Sequence, residues 1–117
     1  MIEFFSDIPY NKIVISKKYP DMLQREVSFS IKINGELFFQ EPNFSIDEFI
    51  FFVDDWMDKK TEEMLYNAVD TDDNPLISFI KNENKWEIHS AWELFECKEK
   101  FDRKMIETAI IQYKQRQ

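Results

Sequence analysis

The stretch VSFSIKINGELFFQ, residues 27–40, decides the fold class, because it reads as two strands joined by a tight turn. One face carries Val27, Phe29, Ile31 and Ile33, and the other carries Ser28, Ser30 and Lys32. This alternation predicts a strand with one buried side. Asn34-Gly35 is the strongest two-residue hairpin signal, and ELFFQ then returns as the partner strand. The stretch therefore predicts an antiparallel hairpin.

A helix is predicted next, over FSIDEFIFFVDDWMDKK, residues 44–60. Ser45 is placed to cap it, and Glu48 three residues later completes a capping box. Phe44 precedes the cap and is expected to pack against Phe49. The apolar residues at helical spacing are Ile46, Phe49, Ile50, Val53, Trp56 and Met57. We therefore expect Trp56 to point inward as a core anchor.

The remaining elements are shorter. Strands are expected at NKIVISKK (11–18), EMLYNAV (63–69), LISFIKN (76–82) and KWEIHSAWELF (85–95), with NENK as a hairpin turn. The pattern becomes helical from about Lys98, with one apolar stripe. That stripe contains Phe101, Met105, Ile106, Ala109, Ile110 and Tyr113. We predict a single globular α+β domain over residues 1–117, with two helices and an antiparallel sheet of about five to six strands, in the order β-β-β-α-β-β-β-α.

The acidic run DTDDNP, residues 70–75, resembles the start of a calcium loop and fails as one. The sixth position must be glycine for the chain to turn sharply, and here it is Pro75. The twelfth position needs a carboxylate and is Lys81. Asp and Asn side chains start turns by bonding their own backbone, so we interpret the run as a turn between strands and expect no metal site.

The sequence gives little support for catalysis or for cofactor binding. The chain has one histidine and one cysteine, and nothing pairs His89 with Cys97. We expect His89 at the rim of a strand and Cys97 as a small buried hydrophobe. Gly35 is the only glycine, which excludes glycine-rich phosphate loops. The sequence thus predicts a protein that is not an enzyme, with no cofactor.

The expected cellular location and the net charge of the protein restrict the classes of partner that it could bind. No apolar run approaches the length of a membrane span, and MIEFFSDIPY at residues 1–10 lacks the features of a signal peptide. A lone cysteine is typical of proteins in the reducing cytoplasm. We therefore expect the protein in the cytoplasm, without membrane contact. The net charge of −8 disfavours direct binding to nucleic acid and favours a cationic partner.

The acids are concentrated in one segment. Residues 54–73 hold eight acids and two lysines, so they carry −6, whereas residues 98–117 carry +3. Two interpretations stay open for this concentration, a solvated surface and a docking face for a basic protein. The candidate partner-binding residues are Asp54, Asp55, Asp58, Asp70, Asp72 and Asp73.

Three stretches also carry a family resemblance: INGELFFQEPNFSIDEFIFFVDDW (33–56), NPLISF (74–79) and WEIHSAWELFE (86–96). Their pattern is similar to small bacterial immunity proteins of polymorphic toxin systems, such as contact-dependent growth inhibition and Wap-type systems. The resemblance covers roughly residues 31–96. It implies a cytoplasmic protein that binds and neutralises the C-terminal domain of a cognate toxin, often a nuclease such as a tRNase or DNase. It assigns no role to any single residue.

Two other functions compete with this one. A phage or mobile-element protein that mimics nucleic-acid charge would share the acidity, but it would be evenly negative. The +3 segment at residues 98–117 favours an immunity protein over such a mimic. A small enzyme with an unrecognised site is the third possibility.

Overall fold

The structure is a computed structural model that describes residues 1–10 and 18–116. Its strands are β1 (Ile2–Ser6), β2 (Glu26–Ile33), β3 (Glu36–Ser45), β4 (Glu63–Tyr66), β5 (Ile77–Asn82) and β6 (Lys85–Ser90). Its α-helices are α1 (Ile46–Lys59) and α2 (Arg103–Gln115), and a short 3₁₀ turn spans Asp21–Leu23. Over the described residues, the α+β class and the two helices are confirmed, and the element order agrees roughly, with β1, and not the strand predicted at 11–18, as the first strand of the described residues.

The first sheet has the order β1-β2-β3, with both pairs antiparallel. The inward face of β2 is buried as its alternation predicts. Asn34 and Gly35 have φ values of 52° and 81°, the left-handed conformations that a two-residue hairpin turn requires. β1 was not expected, and the strand predicted at 11–18 lies, except for Lys18, outside the described residues.

Strand β3 carries two irregularities of register, and they determine how its aromatic residues pack. Val27 pairs with Phe44 while Phe29 pairs with Glu41, so β3 has an extra residue around Pro42. A second shift lies beside Phe38, and both Phe38 and Phe39 are fully buried. Phe38 packs against Phe95, whereas Phe39 packs against Phe29 and Phe44. The second shift thus lets two adjacent aromatic residues enter the core on different sides.

The expectation of one sheet is wrong, because β4, β5 and β6 form a second three-stranded antiparallel sheet. Strand β3 continues into α1 without a loop, so the chain leaves the first sheet at Ser45. The backbone N–H of Leu94 donates to the carbonyl of Phe38 in β3, so an irregular segment, and not a strand of the second sheet, lies beside that strand. Six strands are therefore divided between two sheets.

The core lies between the sheets and the helices. The buried hydrophobic residues form one cluster that includes members of both sheets and both helices. Trp56 is 1% exposed and packs edge-on against Phe79 and Trp86, which confirms its inward position. Met105 was placed in the apolar stripe of the second helix and is exposed. The strand predicted over 85–95 ends at Ser90, and Leu94 beyond it is exposed.

Candidate partner-binding site

The loop of residues 67–76 joins β4 to β5 and contains the DTDDNP run, which confirms that this run is a turn between strands. Asn74 organises the loop from within. Its Oδ1 accepts a 2.9 Å hydrogen bond from the N–H of Ala68, and its Nδ2 donates to the carbonyls of Ala68 and Thr71 at 2.9 and 2.8 Å. The Thr71 hydroxyl accepts from the N–H of Asp73 at 3.1 Å. Acids on this loop are therefore held by a network of bonds to its own backbone.

The loop is also tied to the rest of the molecule at two points. The N–H of Leu76 donates to the carbonyl of Tyr66 at 2.8 Å, which closes the base of the loop. The indole Nε1–H of Trp92 donates a 2.8 Å hydrogen bond to Asp73 Oδ2. Trp92 in turn stacks parallel to Phe39, with 6.5 Å between ring centroids. Through Trp92, the position of Asp73 is fixed relative to the first sheet.

The carboxylates of the loop have no cationic partners within the described chain. Ten ion pairs form among residues 1–10 and 18–116, and none of them includes Asp70, Asp72 or Asp73. All three residues are exposed. The loop therefore presents uncompensated negative charge on a fixed backbone.

The three candidate acids on α1 are placed differently. Asp54 pairs with Lys114 of α2, and Asp55 pairs with Lys59 at 2.9 Å. Asp58 is exposed. Tyr66, at the start of the loop, bonds Glu48 in the first turn of α1, whereas Asp58 lies about 15 Å further along the helix axis. The structure therefore gathers the loop acids at one end of α1 and leaves Asp58 near the other.

The predicted capping box does not form. Ser45 is the N-cap residue of α1, but its side chain makes no capping hydrogen bond. Glu48 turns into the interior, where it is fully buried and accepts hydrogen bonds from Tyr66 at 2.8 Å and Tyr19 at 2.5 Å. Burial, together with the bond to Glu48, raises the pKa of Tyr66, and it raises the pKa of Tyr19 to about 12, so both hydroxyls stay protonated donors. The expected packing of Phe44 on Phe49 is confirmed, with 5.4 Å between ring centroids.

Beside the loop lies a small cleft of about 70 Å³ that the sequence did not indicate. It is formed by the bulged part of β3, the loop and Trp92. Its polar lining comes from Glu41, Asn43, Ser45, Tyr66, Asp70, Thr71 and Trp92. Pro42 was the available signal. It lies just beyond the predicted strand ELFFQ and within the observed β3, and proline in a strand marks an edge or a bulge.

With this geometry in place, comparison with known proteins gives one relationship. Residues 3–116 match the family model described as Domain of unknown function (DUF7878). The chain belongs to the DUF7878 family. No curated protein and no solved structure matched the chain. Among the described residues, neither helix has the length and apolar character needed to cross a membrane.

His89 and Cys97 lie outside the loop, and their contacts indicate structural roles. His89 is part-exposed on β6, and its Nε2 lies 3.0 Å from Glu87 Oε1, as expected for a rim residue. Cys97 is buried, and burial raises the pKa of its thiol, which disfavours the reactive thiolate. In the part of the chain that the structure describes, no three His, Cys, Asp or Glu residues are grouped as a metal site would require.

Proposed function

We propose that this member of the DUF7878 family is an immunity protein, which binds a cognate basic toxin domain and neutralises it without turnover. The observation that carries the proposal is the hydrogen-bonded loop of residues 67–76, whose exposed carboxylates have no cationic partner among the described residues. A basic protein surface would supply the missing cations. The resemblance of residues 31–96 to immunity proteins of polymorphic toxin systems points to the same partner.

The loop has the composition of a docking surface. Val69 is 61% exposed, and Asp70 and Asp72 beside it are exposed as well. An apolar contact with a charged rim is the usual arrangement at protein interfaces. Because Asn74 and Trp92 already hold the loop, little conformational entropy remains to be lost on binding.

The acids of α1 contribute less in this proposal. Asp54 and Asp55 already have lysine partners, so a toxin would have to compete with Lys114 and Lys59. Asp58 is exposed near the far end of the helix. We therefore assign the main contact to Asp70 and Asp72, with Asp73 as a positioned neighbour, and leave the helix acids to long-range steering.

The toxin would be a nuclease domain, a tRNase or a DNase. Such enzymes carry basic surfaces because they bind phosphates. An acidic loop docked on that surface excludes the nucleic acid by occupying its place. The protein itself would act in the cytoplasm, where the toxin meets its substrate, and would need neither cofactor nor direct contact with nucleic acid or membrane.

A charge mimic that blocks a nucleic-acid-binding enzyme is the second candidate. The mixed charge around α2 speaks against it, because Lys85 and Lys100 pair with Asp102 and Glu87 on that side. A duplex mimic needs a broad and even negative surface. The acidic loop covers only one end of the molecule, which suits a specific protein partner better.

The test pairs the chain with the C-terminal domain of the toxin whose gene adjoins its own. The toxin domain alone should arrest growth, and co-expression of this chain should restore it, with the two proteins eluting as one complex. An arrest that the chain does not relieve, or a gene neighbourhood without a toxin, would count against an immunity function.

The surface is tested with Asp70→Lys and Asp72→Lys combined. Asp73 is kept because its carboxylate holds the Trp92 indole. The association rate at low salt should fall about tenfold or more, since opposite charges steer encounter. The matched control combines Glu36→Lys with Glu83→Lys. It makes the same change of charge at exposed turns, which lie at the ends of β3 and β5 remote from the loop of residues 67–76. Equal effects of the two pairs would show that only net charge matters.

A further inference from the structure

The cleft beside the loop has acidic walls that lack internal partners. Glu41 uses one oxygen, Oε1, to accept a 3.0 Å hydrogen bond from the N–H of Asn43, and its other oxygen is not bonded within the described residues. Asp70 lines the opposite wall and forms no ion pair there. Among the residues that the structure describes, no lysine or arginine lines the cleft. Two carboxylate residues thus line one small space, without a described lysine or arginine beside them.

A hydroxyl without a partner among the described residues also borders this space. Ser45 is only 4% exposed and lines the cleft, yet it caps nothing, and its hydroxyl has no hydrogen bond within residues 1–10 and 18–116. Because the Ser45 hydroxyl lines the cleft and makes no capping bond, it is available to a group that enters the cleft.

The local charge determines the sign of that partner. The N-terminus of α1 lies beside Ser45 and would by itself favour an anion. Asp47 and Glu48, both in the first turn, offset the positive end of the helix dipole, and Arg25 pairs with Asp47 at 3.8 Å. With Glu41 and Asp70 added, the surroundings favour a cation that donates several hydrogen bonds.

The shape of the lining favours a guanidinium over an ammonium. Trp92 lines the cleft with a part-buried indole, which stacks on Phe39 on one side and is held in place by Asp73. A guanidinium stacks on aromatic faces and binds carboxylates with two parallel hydrogen bonds, neither of which an ammonium does. The ligand that satisfies Ser45, Glu41 and Trp92 together is therefore a planar cation.

We propose that the cleft between β3, the loop of residues 67–76 and Trp92 is a receptor for an arginine side chain of the partner protein. Glu41 and Asp70 accept from the guanidinium, Ser45 accepts at the floor of the cleft, and Trp92 forms its flat wall. The inference rests on the proposed function for the identity of the partner, since a basic toxin supplies the arginine. The arginine site would be a specific anchor of the interface. Long-range charge attraction alone would not fix the relative orientation of the two proteins.

The probe is N-acetyl-arginine-N-methylamide, titrated into the purified chain and followed by ¹H–¹⁵N NMR. The Trp92 indole signal, identified by its loss in Trp92→Phe, should shift together with the backbone signals of residues 41–45 and 70–73. The citrulline analogue has the same shape without the charge and should not shift them. Shifts spread over all exposed acids, or equal shifts with citrulline, would overturn the proposal.

The variant for the same titration combines Glu41→Gln with Asp70→Asn, which keeps the acceptor for Asn43. Probe affinity should fall about tenfold or more, because two charge-assisted hydrogen bonds are lost. Ser45→Ala should weaken it less, and Glu36→Gln with Glu83→Gln should not change it. Unchanged affinity in the first pair, or stronger shifts at these residues with Mg²⁺ or Ca²⁺ than with the probe, would refute an arginine site. These titrations contain no toxin, so their failure leaves the growth assay as an independent test of the immunity function.

Discussion

The hydroxyl of Tyr66 donates a 2.8 Å hydrogen bond to the Oε1 of Glu48, a carboxylate with no solvent exposure. Tyr19 donates to the other oxygen at 2.5 Å. Together the two hydroxyls join three separate segments, since Tyr19 follows the undescribed residues, Glu48 begins α1 and Tyr66 ends β4. This buried carboxylate therefore fixes the start of the acidic loop against the helix.

Tyr66→Phe should destabilise the protein by about 2 kcal/mol, the usual cost of losing a hydrogen bond to a buried charged group. The phenyl ring keeps its packing on Phe44 and Phe49, so the loss reports the hydroxyl alone. Unfolding in urea measures the change. Tyr19→Phe is the matched control, because Tyr19 is 50% exposed and water can replace its hydroxyl. A larger loss from Tyr19→Phe than from Tyr66→Phe would contradict this assignment.

Local signals were enough for the elements whose determinants are adjacent in sequence. The β2–β3 turn is set by Asn34-Gly35, and the inward face of α1 is set by apolar spacing within one segment. Both were predicted because each depends only on residues that lie close together in the sequence. The buried position of Trp56 followed from the same spacing.

The features that sequence reasoning missed depend on distant contacts. Glu48 stands where a capping box needs it, but its donors Tyr19 and Tyr66 are 29 and 18 residues away. The cleft needs Glu41, Asp70 and Trp92 to converge from three segments. The division into two sheets depends on which strands pair with each other. Hairpin patterns predict pairing only between strands that are consecutive in the sequence.

Ser45→Ala should change stability by no more than about 0.5 kcal/mol, because the substitution removes neither a capping bond nor large apolar packing. A functional N-cap would cost about 1 kcal/mol. The difference follows from the absence of a capping bond by the Ser45 side chain. Urea unfolding decides between the two values, and a loss of about 1 kcal/mol or more would restore the capping role.

Trp56→Ala should cost about 3–5 kcal/mol, because it removes a large side chain from a closely packed core. Trp56 contacts Phe79, Trp86 and the guanidinium of Arg103, whose carbon lies 4.1 Å from the ring centroid. Phe51→Ala is the control on the same helix, and with 39% exposure of Phe51 it should cost about 1 kcal/mol or less. Thermal melting of both variants measures the contrast. Similar melting temperatures would show that Trp56 does not anchor the core.

Glu87 should make stability depend on pH in the acid range. Hydrogen bonds from Lys100, Asn82 and His89 lower the pKa of Glu87 from 4.5 to about 2. A carboxyl whose pKa is lower in the folded state stabilises the protein above its unfolded pKa, and this stabilisation disappears as the pH falls through the folded pKa. Glu87→Gln should therefore be less stable than the wild type at pH 7, and the difference should close between pH 4.5 and about 2. Glu83→Gln, an exposed change in the adjoining turn, should show no such closing difference. Urea unfolding at a series of pH values measures it, and a difference that stays constant down to about pH 2 would mean that the bonds to Glu87 do not hold its charge.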